Sequence, residues 1–114
     1  MEIRRGYLYI VDFNPPVRTK PGKLRPAVVL QSDLVNDAGY PSTIVVPATT
    51  KLVADPGIMR LRIEKGDAGL DRDSDLLLGQ VIAVANESFR KEIGILPENV
   101  LQVLENRLRI ILGL

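Results

Sequence analysis

Residues that favour β structure come in short runs along this chain, and proline or glycine soon stops each run. Such punctuation selects several short strands joined by turns, a pattern that argues for a barrel or a sandwich. Tyr7-Leu8-Tyr9-Ile10-Val11-Asp12-Phe13 predicts a first strand with Tyr7, Tyr9, Val11 and Phe13 on one face, ended by Asn14-Pro15-Pro16. From there to Lys23, proline, glycine, threonine and basic residues follow without periodicity, so the segment reads as a loop. Arg25 to Gln31 predicts a second strand, with Pro26 tolerable near its beginning because proline cannot donate to a ladder. Thr43 to Ala48 predicts a third, and both apolar runs are expected to be fully buried.

Between them, Asn36, Gly39 and Pro41 favour turns and exclude a long helix. Met59-Arg60-Leu61-Arg62-Ile63 alternates strictly, which predicts a half-exposed strand showing both arginines to solvent or to a ligand. Leu76 to Ala85 predicts a longer strand, bulged or sharply bent at Gly79. Only at the end does the period change: Val100, Leu101, Leu104, Leu108 and Ile111 predict a terminal helix, with Pro97 in its first turn. The last turn, Leu108 to Leu114, is apolar on more than one side, which fits either a subunit contact or a helix end buried in its own fold. With 114 residues, a single mainly β domain spanning 1–114 is expected.

The chain has no cysteine and no histidine. Disulfides, thiolate zinc sites, thiol nucleophiles and imidazole acid–base chemistry are thereby excluded. No stretch approaches the roughly 20 apolar residues that span a bilayer, and Met1-Glu2-Ile3-Arg4-Arg5 lacks the apolar core of a secretory signal, so a cytoplasmic protein without membrane contact is expected. The net charge of +1 hides an asymmetry: residues 1–25 hold six cations against Glu2 and Asp12, which makes that end +4 and the remainder −3. A basic end on a nearly neutral chain suits a local phosphate-binding patch, although ordinary solvated charge accounts for it equally well.

Three junctions carry polar residues at strand ends: Pro21 to Pro26, Val46 to Thr50, and Asp71 to Asp75. Singly, each reads as a surface residue or a turn former. In combination, Arg5-Gly6, Asp12-Phe13-Asn14-Pro15, Gly22-Lys23-Leu24-Arg25-Pro26-Ala27-Val28-Val29, Val45-Val46-Pro47-Ala48-Thr49-Thr50 and Asp73-Ser74-Asp75-Leu76-Leu77-Leu78-Gly79-Gln80-Val81 closely resemble the MazF/PemK family over nearly the whole length. The resemblance implies an SH3-like, CcdB/PemK-type β-barrel with a C-terminal helix, working as a homodimer. It also implies a toxin that cleaves single-stranded RNA without metal or cofactor and is restrained by a cognate antitoxin protein.

Carried over by motif, the catalytic roles fall on Arg25 and Thr49, with Thr50 as the alternative threonine. A guanidinium can grip the phosphate oxygens bidentately while the ribose 2′-hydroxyl attacks, and a threonine hydroxyl adds a second donor. Thr19 and Lys23 of the basic loop are candidates to hold backbone phosphates, and Gln80 is either a further substrate contact or an exposed strand glutamine. A proton acceptor is not identified, since a guanidinium deprotonates very reluctantly. The rival reading is a CcdB-like, non-enzymatic gyrase-binding toxin on the same fold.

Overall fold

A computed structural model describes residues 1–13 and 23–114. Seven strands, β1 (Tyr7–Asp12), β2 (Leu24–Val29), β3 (Ser42–Thr49), β4 (Arg60–Ile63), β5 (Ser74–Leu77), β6 (Ile82–Ala85) and β7 (Phe89–Ile95), form one antiparallel sheet. A five-residue helix, α1 (Asp33–Asp37), and a terminal helix, α2 (Glu98–Leu112), complete the fold. The main path of the sheet runs β4-β5-β3-β2-β1-β7, and β6 branches from β3.

Both faces of the central strands are covered, because alternate residues feed two different apolar layers. Leu8, Val28, Val46, Ala48 and Leu76 pack with Leu101, Leu104 and Leu108 of α2 on one side. Tyr9, Val11, Ala27, Val29, Val45, Val84 and Phe89 form the other layer, against which Tyr7 and Phe13 also pack. The predicted face of the first strand is therefore found as expected. Tyr9 meets Phe89 edge-on, with ring centroids 5.2 Å apart, and its hydroxyl donates to the Glu2 carbonyl at 3.0 Å, so the buried phenol keeps a partner.

Among the described residues the sheet does not close through hydrogen bonds. Its two outer strands are drawn together by the turn at Asp67–Gly69, which follows β4 and lies directly on the backbone of β7. Gly69 and Gly94 permit this approach: a Cβ at Gly69 would overlap the Ile93 carbonyl, and one at Gly94 the Ala68 carbonyl. The result is barrel-like, with an open seam.

Two strand predictions change in detail. The run from Leu76 onward is not one bent strand: β5 and β6 are separate, joined by a 3₁₀ turn over Leu78–Gln80 that contains Gly79. The reason lies in β3, which pairs with β6 through Ser42–Val45 and with β5 through Ala48–Thr49. Pro47 falls in the gap between the two partners, where a missing N–H costs nothing. The apolar run of β3 is also not fully buried, since Ile44 is 43% exposed.

No element was expected over Phe89–Ile95, yet β7 forms there beside β1. Its consecutive Arg90, Lys91 and Glu92 hide any alternation, and all three are exposed on an outer strand, where charge discourages further pairing. Helix α2 begins immediately after Pro97, which occupies the N-cap, and ends at Gly113 in the left-handed conformation. Leu108 is buried in the core and Ile111 packs against it, whereas Ile110, Leu112 and Leu114 are 68%, 58% and 88% exposed, so this end of the helix is buried on one side only.

Candidate active site

Pro26 shapes the site before any charged group enters it. Strands β2 and β3 pair from Val29↔Val45 down to Ala27↔Pro47, and there the ladder stops. Continuing the ladder one step further would call on Pro26, which has no N–H to give Ala48, and Arg25 and Thr49 lie beyond that break. The strands are free to part at this point. A hollow of about 300 Å³ opens between them, lined by Lys23, Leu24, Arg25, Pro26, Ala48, Thr49, Thr50 and Lys51.

Arg25 and Thr49, predicted from separate junctions, thus face one cavity, as do Lys23 and Thr50. Gln80 does not line that hollow. It lines an adjoining one of about 450 Å³ with Phe13, Pro47, Val81 and Ile82, and Lys23 and Arg25 belong to both. Thr19 lies outside the described residues, as does the predicted loop from Asn14 to Gly22.

The hydroxyl of Thr49 accepts the backbone N–H of Lys51 at 3.1 Å. That bond occupies an oxygen lone pair and keeps the hydroxyl hydrogen available for an incoming anion. Arg25 is half-buried, and among the described residues no ion pair claims its guanidinium. A cationic fork and a hydroxyl donor facing one concavity suit a phosphodiester.

The third junction behaves differently from its sequence reading. Asp75 is no turn former but a fully buried strand residue, opposite Thr49 on β3 and Arg62 on β4. Thr49, Asp75 and Arg62 therefore form one transverse row across β3, β5 and β4, and Arg25 of β2 lines the hollow beside Thr49. Arg62 Nε lies 2.5 Å from Asp75 Oδ1, and Arg60 Nη1 lies 3.2 Å from Oδ2. The alternating pattern holds in that Arg62 remains exposed and Arg60 partly so, but the guanidinium groups of both also turn onto a buried carboxylate that sequence reasoning left unassigned.

Burial drives the Asp75 pKa upward, but the hydrogen bonds and charges of Arg62 and Arg60 outweigh it and hold the carboxyl below its ordinary range. Asp75 is therefore a poor proton acceptor near neutral pH. Among the described residues no group of three or more carboxylates gathers as a cation site.

Fold and hollow together describe a small, barrel-like β protein with a groove at a frayed strand pair, lined by cationic and hydroxyl side chains. A model of the PemK-like, MazF-like toxins of type II toxin–antitoxin systems matches residues 4–112, and the chain belongs to that family. Endoribonuclease MazF of Staphylococcus epidermidis is 34% identical over 113 residues, covering 98% of this chain and 92% of that protein. The Mycobacterium tuberculosis toxin MazF-mt6 superposes with a TM-score of 0.77 at 17% identity, over 95% of this chain and 97% of its own. A MazE–MazF crystal structure from Deinococcus radiodurans gives 0.79 at 21% identity, over 100% and 98% of the two chains. The family and its ribonuclease relative disfavour the CcdB-like reading.

Proposed function

We propose that this chain, working as one domain, is a metal-independent endoribonuclease toxin that cuts single-stranded RNA. The observation that carries the reading is that Arg25 and Thr49, brought from two strand ends, line the same hollow. As the 2′-oxygen bonds to phosphorus and loses its proton, negative charge gathers on the phosphoryl oxygens, and Arg25 with Thr49 supplies fixed donors toward it. The bond to the 5′-oxygen then breaks and that oxygen takes up a proton, leaving a 2′,3′-cyclic phosphate and a 5′-hydroxyl. Lys23, Thr50 and Thr19 hold neighbouring phosphates, and Gln80 in the adjoining hollow contacts the substrate beside them. DNA is spared because it lacks the attacking hydroxyl.

Among the described residues no helix is long and apolar enough to cross a membrane. We place the toxin in the cytoplasm, with a cognate antitoxin as its restraint, as in the Deinococcus radiodurans MazE–MazF complex. A homodimer is supported by an apolar hollow of about 640 Å³ that includes exposed Val35, Tyr40, Ile44 and Leu112.

The test is cleavage of RNA oligonucleotides in EDTA, with a single 2′-deoxy substitution at the cut position. The expected result is cutting of the unmodified strand, cyclic-phosphate ends, no cutting at the deoxy position, and a loss of about a hundredfold or more in Arg25→Ala. Cutting across the deoxy linkage would overturn the mechanism, and full activity in a folded Arg25→Ala protein would overturn the site.

A further inference from the structure

A chain of polar contacts leads from the buried carboxylate to the Thr49 hydroxyl, the candidate donor to the RNA phosphate. Asp75 has no exposure, and its Oδ2 holds Arg60 Nη1 at 3.2 Å. That same nitrogen donates to the Lys51 carbonyl at 2.8 Å. The Lys51 N–H in turn donates to Thr49 Oγ1 at 3.1 Å. Both peptide groups of Lys51 are thus tied, one to the threonine and the other to an arginine anchored in the interior. Arg60 is itself fixed on its backbone side, since Arg107 Nη1 of α2 donates to its carbonyl at 2.6 Å.

The segment after Thr49 needs such an anchor. Strand β3 ends at Thr49, and Thr50, Lys51, Leu52 and Val53 are exposed and outside any strand or helix. A hydroxyl at the rim of an irregular segment keeps its direction only if the peptides around it are held, and an error of about 1 Å in placement costs up to roughly a hundredfold in rate. A fully buried carboxylate that must keep its cationic partners is a firm post, because removing them would leave an uncompensated buried charge; Arg60, 23% exposed, bonds it through Nη1 and passes that hold on to Lys51.

We propose that Asp75 and Arg60 are positioning residues for the reaction: through the Lys51 backbone they hold the Thr49 hydroxyl toward the scissile phosphate. Arg62, which pairs with Asp75 but makes no bond to Lys51, neutralises the carboxylate without taking part in the aiming. The proposal rests on the reading of Thr49 as a donor to the RNA phosphate.

The experiment compares Arg60→Gln, Arg62→Gln, Thr49→Ala and the Arg60→Gln/Thr49→Ala double variant with the unmodified protein. Cleavage kinetics on an RNA oligonucleotide and hydrogen exchange of the Lys51 amide are both read. Arg60→Gln is expected to lower kcat about tenfold or more with little change in KM and to speed Lys51 exchange, while Arg62→Gln leaves kcat within about twofold. In the Thr49→Ala background Arg60→Gln should cost nothing further, because the hydroxyl it aims is already gone.

Equal losses of kcat in Arg60→Gln and Arg62→Gln, multiplicative losses in the double variant, or unchanged Lys51 exchange would each overturn the proposal. If the unmodified protein cleaves but Thr49→Ala remains active, the assignment of Thr49 fails, and the positioning role falls with it. No cleavage by the unmodified protein would instead refute the nuclease reading, whereas unchanged Lys51 exchange in Arg60→Gln refutes the anchor itself.

Discussion

A carboxylate with no solvent exposure stands one strand away from the candidate catalytic threonine, and two arginines keep it charged. Desolvation opposes ionisation of Asp75, the guanidinium bonds favour it, and the bonds win, so its pKa in the folded protein lies below the unfolded value. A depressed carboxylate pKa adds stability that is complete above the unfolded value of about 4 and is lost as pH falls through the folded value. Melting temperature measured from pH 7 down to pH 2 should therefore fall more steeply below about pH 4 for the native chain than for Asp75→Asn. Parallel curves would mean that the pair contributes nothing to acid sensitivity. The alternation Arg60, Leu61, Arg62 announced a strand, but no local rule announces that both arginines turn onto a residue thirteen or more positions away.

At the level of elements, the site depends on where two prolines interrupt hydrogen bonding. Pro26 ends the β2–β3 ladder, and Pro47 marks the point at which β3 changes partner from β6 to β5. Pro26→Ala restores an N–H opposite Ala48 and should extend the ladder by one bond, narrowing the hollow around Arg25 and Thr49. The expected result is a newly protected amide at position 26 in hydrogen exchange, with RNA cleavage reduced about tenfold. An unprotected amide there would show that proline is not what parts the strands. The first three strands and the terminal helix are legible in the residues, because alternation, flanking turn formers and a 3.6-residue period act within a few positions. Strand β7 is not legible: its Arg90-Lys91-Glu92 run has no alternation, and it is ordered by pairing with β1 across the chain.

For the molecule as a whole, apolar side chains remain uncovered on one flank. Ile44 of β3 and Leu112 of α2 line the same 640 Å³ hollow with Tyr40 and Val35, and Ile44 is 43% exposed. Burial of such a flank against a second copy is favourable by about 25 cal/mol per Å² of apolar surface, and a charge placed there opposes it. Ile44→Glu should convert a dimer to a monomer in size-exclusion chromatography without destabilising the subunit fold by more than about 1 kcal/mol, since the residue is half-exposed. A variant that elutes unchanged would locate the subunit contact elsewhere. The amino-acid order already carried the β class, the terminal helix, and the pairing of an Arg-Pro motif with a Pro-x-Thr motif as a family mark. Which groups come together was settled by strand order and register: Thr49, Asp75 and Arg62 are aligned by antiparallel pairing of β3, β5 and β4, an order that differs from their order in the chain, and Arg25 of β2 reaches the same hollow as Thr49. Local preferences act over a few residues, whereas charge neutralisation and hydroxyl orientation act over a few ångströms, and only folding converts one kind of neighbour into the other.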